Sequence, residues 1–193
     1  ALPIYFSEPV VQATLRVVKV FWGLDDKLAF ARHFPAINWL TSYSLYQEVV
    51  DKYANEHLDA QWQENRRRAM GILQREAELE ELVRLVGMDA LPAEDRLLMQ
   101  AAKMIREDFL HQNAFDDRDT YTSLPKQFQL IKMILHYYNK ARPALAQGAL
   151  LNKLLTLGVL EEVAKAKLIA EDKLEQFEAL MGRITEEIEA LPR

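Results

Sequence analysis

Over residues 174–191 the apolar side chains fall at Leu174, Phe177, Met181, Ile184, Ile188 and Leu191, in alternating steps of three and four. That spacing draws one stripe along a 3.6-residue turn, and an alternating strand cannot use it. The same period governs the chain from about Asp59 onward. Asp59 is a plausible N-cap for a run to Val86 with a stripe at Ile72, Leu79, Val83 and Val86. Gly87 suits the residue after that helix, and Pro92 suits the first turn of the next. A second stripe follows at Leu98, Ala101, Ala102, Ile105 and Phe109, then a polar break from Asn113 to Ser123. A third lies at Phe128, Ile131, Leu135 and Tyr138.

The opening of the chain is different. Leu15–Trp22, rich in Val and aromatics, reads as a strand, with Ser7-Glu8-Pro9 before it as a loop. Leu24–Ala31 reads as a short helix. Pro35 stops it by disfavouring helical geometry at Phe34, and Asn38–Tyr43 then reads as an aromatic-rich loop. The expected fold is mainly α: a helical bundle with a short strand-containing N-terminal segment. The expected division is 1–22 (strand and loop), 23–58 (connecting helix and loop) and 59–193 (helical domain). The apolar opening, Ala1–Tyr5, reads as the interior of something longer.

Net charge is −5, a poor basis for nucleic-acid binding, which depends on neutralising phosphates. The absence of cysteine removes disulfides, thiolate zinc sites and cysteine nucleophiles. The longest apolar stretches fall well short of the ~18 residues a bilayer span needs, so direct membrane insertion is not expected. No glycine pair has phosphate-loop spacing, and the four histidines lack ligand spacing, so no metal site is expected. Glu76, Glu78, Glu80 and Glu81 lie among basic residues and read as a solvated helix face. Two features stand out. The turn from Gly87 to Asp95 is acidic and sits at a hairpin tip. Its acids either complement the following helix dipole or dock a basic partner. Phe109 and Phe115 flank a helix-to-loop transition, either as core or as faces for a flat ring.

Phe6-Ser7-Glu8-Pro9-Val10, Phe21-Trp22-Gly23-Leu24-Asp25, Arg32–Trp39 (RHFPAINW) and Ser42-Tyr43-Ser44 resemble the catalytic A subunit of V/A-type rotary ATPases. So does Asp108–Phe115 (DFLHQNAF). The resemblance runs from Phe6 nearly to the C-terminus and is closer to bacterial and archaeal forms. Leu82–Asp95 is also similar to the lever hairpin in the catalytic β subunit of F-type ATP synthases. The match departs at Pro3-Ile4-Tyr5, where the family carries Gly-Gly-Asp.

The resemblance implies that this chain is the end of a nucleotide-binding domain followed by the C-terminal helical domain. The phosphate loop, the magnesium ligand and the catalytic glutamate would lie upstream, so no catalytic residue is expected here and the chain alone should not hydrolyse ATP. It implies that Phe115 packs on adenine, that Phe6 is an aromatic on the opposing loop, and that Phe109 is a weaker candidate. ATP or ADP with Mg would be bound by the full-length subunit, and none tightly by this chain. Met88, Asp89, Glu94 and Asp95 would form the rotor-contact tip. The implied partners are non-catalytic B subunits, alternating in a hexameric ring, and a central-stalk shaft. The implied location is cytoplasmic, peripheral to the membrane. At 1.5 Å per residue, Pro92 to Leu110 spans about 28 Å, a lever between nucleotide and shaft. The competing readings are a standalone helical interaction module with no nucleotide role, and an independent enzyme using helix-borne carboxylates and histidines.

Overall fold

The computed structural model describes residues 7–192. Its N-terminal part is α1 (Pro9–Val17), β1 (Val20–Leu24), α2 (Asp26–Phe30) and β2 (Ile37–Ser44). The strands pair antiparallel, with Phe21 opposite Tyr43 and Leu24 opposite Ile37, and the ladder is irregular between Phe21 and Gly23. Gly23 is required there: a Cβ would stand 2.5 Å from Thr41 Oγ1, and its N–H donates to Ser42 Oγ.

Two expectations are corrected here. Residues 15–17 close a helix rather than open a strand: Pro9 occupies the first-turn position, and the helix it starts runs on to Val17. Residues 38–43 are strand rather than loop, because β1 supplies the partner that completes their hydrogen bonding. The short helix after Gly23 does form, capped by Asp25, whose carboxylate accepts from Lys27 N at 2.9 Å.

The bundle consists of α3 (Gln47–His57), α4 (Trp62–Val86), α5 (Ala93–Met104), α6 (Asp117–Thr120), α7 (Leu124–Ala146), α8 (Leu151–Leu155), α9 (Leu160–Lys165) and α10 (Glu175–Glu189). Asp59 is not the N-cap expected of it: Gln61 holds that position, α4 begins at Trp62, and the Asp59 carboxylate accepts from Gln61 N at 2.8 Å in the turn before the helix. Gly87 closes α4 at φ 84°, a conformation that L side chains resist. α7 is the central element and packs against α4, α5 and α10. It buries Met133, Ile134 and Tyr137 in addition to Phe128, Ile131 and Leu135. α10 buries Phe177, Met181, Ile184 and Ile188 as its stripe requires, and each such side chain contributes about 1.5–3 kcal/mol.

α3 is packed with its polar side inward. Asp51 is buried against α4, where Arg66 Nη2 and Nε donate to its two oxygens at 2.6 and 3.1 Å and Gln47 Nε2 donates at 3.0 Å. The apolar row Tyr46, Val49, Val50 and Tyr53 faces outward. Among the described residues no helix is long and apolar enough to cross a membrane.

Candidate functional site

The chain presents candidate groups at both ends of the α4–α5 hairpin. At one end α5 continues into a π-helical turn, Ile105–Leu110, which His111 N closes by donating to Arg106 O at 2.8 Å. Residues 111–123 follow as a loop that contains the single-turn α6, and they are held at nearly every step. Gln112 N donates to Phe34 O at 2.7 Å and Asn113 N to Asp119 Oδ2 at 2.6 Å. Thr120 Oγ1 donates to Asn113 O, Gln112 Nε2 to Asp119 O, and Asn113 Oδ1 accepts from Phe115 N at 3.0 Å. Beneath the loop Lys126 is fully buried and its Nζ donates to Arg118 O at 2.6 Å. Lys167 Nζ donates to Glu107 O and His111 O.

This scaffold displays Phe115, which is 99% exposed. An apolar ring held in water by an ordered loop gains nothing from the fold, so the display suits a partner with a flat face. Phe109 is different: it packs against the core and lines a cleft of about 220 Å³ with Pro35, Gln112, Thr122 and Gln127. Phe6 lies outside the described residues.

At the other end, α4 and α5 meet through Gly87 and a 3-10 turn, Met88–Ala90. Asp89 is almost fully exposed and lies 3.6 Å from Arg96, while Asp95 lies 3.7 Å from Arg75 and Glu94 is exposed. Two of the three acids are thus partly neutralised by their own chain. The exposed remainder is apolar: Leu85 is 81% exposed, Val86 60%, and Leu82 and Met88 are also exposed. Val86 therefore leaves the buried stripe expected for it, because α4 outruns the helices that could cover its last turn. Replacing Asp89, Glu94 and Asp95 together with alanine is expected to change the urea midpoint only slightly, about 1 kcal/mol or less in all.

Burial lifts the Asp108 carboxyl to about 6; Lys167 and Lys103 pull it down and Glu107 pushes it up. The folded chain therefore prefers protonated Asp108. That contribution is fully present below about pH 4 and is lost as pH rises to about 6. Asp108→Asn is expected to stabilise the chain about tenfold in the unfolding equilibrium at pH 7, and to make no difference at pH 4. Chemical unfolding at the two pH values checks this. Burial, together with Lys167 and His33, lowers His111, whereas the hydrogen bonds from Arg118 hold Asp116 down to about 2.

Sequence patterns did not single out the groups that support the loop. Asp119, Lys126 and Lys167 look like ordinary surface charges, and His33 is one of four histidines without ligand spacing. Among the described residues no group of three His, Asp or Glu side chains is placed to hold a metal ion.

Residues 51–155 match the family model described as the C-terminal domain of V and A type ATP synthase. The V-type ATP synthase alpha chain of Thermoanaerobacter pseudethanolicus is 52% identical over 185 residues, covering 96% of this chain and 31% of the relative. That of Acetivibrio thermocellus is 53% identical over 186 residues, covering 96% and 32%. The chain spans about a third of the length of these relatives. A solved structure, a unique ATP synthase subunit NeqB from Nanoarcheaum equitans, superposes with a TM-score of 0.56 at 20% identity, covering 69% of this chain and 31% of that one. That likeness shows the fold alone. With the helical core, the α4–α5 hairpin and the family match in agreement, this chain belongs to the C-terminal domain family of V and A type ATP synthases.

Proposed function

We propose that this chain completes the adenine pocket of a rotary ATPase catalytic subunit and carries motion between the nucleotide and a central shaft. The observation that carries this reading is Phe115, fully exposed on a loop whose backbone is fixed by hydrogen bonds on both sides. A rigid exposed ring binds a nucleobase by its face, a contact worth about 1–3 kcal/mol, at little ordering cost. Phe6 would supply the opposing ring, and Phe109 would support the loop from the core. Phosphate and magnesium chemistry belongs to the upstream part of the full-length subunit. This chain alone is expected to be inert towards ATP or ADP.

The α4–α5 hairpin joins the Phe115 loop to the Met88–Asp95 tip through packed helices, the stiffness a lever needs. A two-state motion biased at both ends would couple them. We propose that the tip meets the shaft through Met88, Leu85 and Val86, with Asp89, Glu94 and Asp95 steering the approach. The subunit would alternate with non-catalytic B subunits in a ring in the cytoplasmic sector, peripheral to the membrane. Ion translocation, proton or sodium, would follow from that assembly. In the full-length subunit, Leu85→Ser with Val86→Ser is expected to weaken shaft association about tenfold, more than the triple acid replacement does. A pull-down with the purified shaft measures both. Equal binding by all variants would remove the tip from the proposal. Nucleotide titration of the full-length subunit with and without Phe115 tests the pocket.

A further inference from the structure

One buried side chain from the N-terminal hairpin reaches the base of the Phe115 loop. His33 follows α2 and is buried, with Nδ1 lying 3.1 Å from Pro35 O and Nε2 3.0 Å from Arg106 O. Its ring packs beside Trp39 and His111, with centroids 5.8 and 4.9 Å away. Arg106 O is the carbonyl that also accepts from His111 N to close the π-helical turn. The next residue in each segment adds a second tie, Gln112 N to Phe34 O at 2.7 Å. The side chain of Arg106 is meanwhile locked onto buried Glu76 of α4.

We infer that His33 is a positioning residue for base recognition, holding the Phe115 loop in register with the N-terminal hairpin through the Arg106 carbonyl. The inference rests on the stacking role proposed above for Phe115. Lys126, Asp119 and Lys167 fix the loop to the bundle only. His33 and Phe34 O fix it to β1 and β2, the part of the chain nearest in sequence to the expected nucleotide domain. A ring displayed from this loop can meet a base only if both frames agree. A π-helical turn fits that task. It inserts a residue into a helix at a cost in hydrogen-bond geometry and is found frequently at functional sites. Here it leaves one carbonyl facing both the His111 N–H and His33 Nε2, which donates to it in the tautomer that carries the proton on Nε2 and leaves Nδ1 facing Pro35 O without one.

Two measurements test this. In the first, amide hydrogen exchange compares this chain with its His33→Ala and His33→Gln variants. Exchange at Gln112, Asn113 and Phe115 is expected to quicken about tenfold in His33→Ala and less in His33→Gln, which keeps a donor, while α7 amides are unchanged. Equal acceleration in α7, or none in the loop, overturns the inference. In the second, a double-mutant cycle is run on the full-length subunit with ADP as probe. His33→Ala should weaken binding about fivefold when Phe115 is present and not at all on the Phe115→Ala background. Independent, multiplying losses overturn the positioning role and leave the stacking role intact. No loss from Phe115→Ala alone overturns the stacking role, and the base-positioning role of His33 falls with it. The exchange result then shows separately whether His33 orders the loop.

Discussion

Arg106→Met is expected to destabilise this chain by about 3–5 kcal/mol at pH 7, a large part of the roughly 5–15 kcal/mol that holds a domain folded. Glu76 is not on the solvated face expected of it: it is 3% exposed, because the guanidinium of Arg106 reaches both of its oxygens at 3.1 Å. Burial pushes the Glu76 carboxyl up and Arg106 pulls it back without fully compensating. Removing the guanidinium leaves a carboxylate with neither water nor partner. Two controls separate this cause from lost packing. Replacing Glu76 and Arg106 together with methionine should recover most of the loss, because the buried charge disappears with its partner. The deficit of the single variant should also shrink as pH falls and Glu76 takes up a proton: protonation favours the folded state of a group whose pKa is raised. Urea unfolding at pH 7 and pH 5 reads both. A deficit below 1 kcal/mol at both would contradict this account of the joint between α4 and α5.

Phe115→Ala has the opposite profile. In the full-length subunit it is expected to weaken ADP and ATP binding by about 1–3 kcal/mol, roughly 5- to 150-fold, with no fall in melting temperature. The ring contributes nothing to the core, since it is 99% exposed. Its backbone N–H would still be held by Asn113 Oδ1 in the alanine variant, so the loop keeps its shape. Phe115→Tyr and Phe115→Trp should retain most of the affinity, because stacking needs a face and not a particular ring. Calorimetric titration alongside thermal unfolding separates the two effects.

The contrast between these residues explains how much of the molecule was legible in the amino-acid order. α10 was readable because one side of it meets the core and the other meets water, so a single stripe describes it. α7 was readable only in part. Three helices surround it, so Met133, Ile134 and Tyr137 are buried off the stripe. α3 escaped notice because its polarity is reversed: buried Asp51 is matched by Arg66, fifteen residues away, and periodicity cannot register such a pairing. β2 escaped because its partner strand, not its composition, makes it a strand. Phe115 was ambiguous between core and display. Resemblance to the rotary ATPase subunits tipped it towards display, and the exposed ring agrees with that side. The cations beneath the loop were invisible, since buried Lys126 and half-buried Lys167 reach backbone carbonyls that belong to other turns.

The most direct test of the central claim is photolabelling of the full-length subunit with an azidoadenine nucleotide, followed by peptide mapping. The account predicts that the loop peptide containing Phe115 is labelled, that unmodified ATP competes the label away, and that His33→Ala reduces it. Saturating, ATP-protected labelling that falls wholly on other peptides would contradict it.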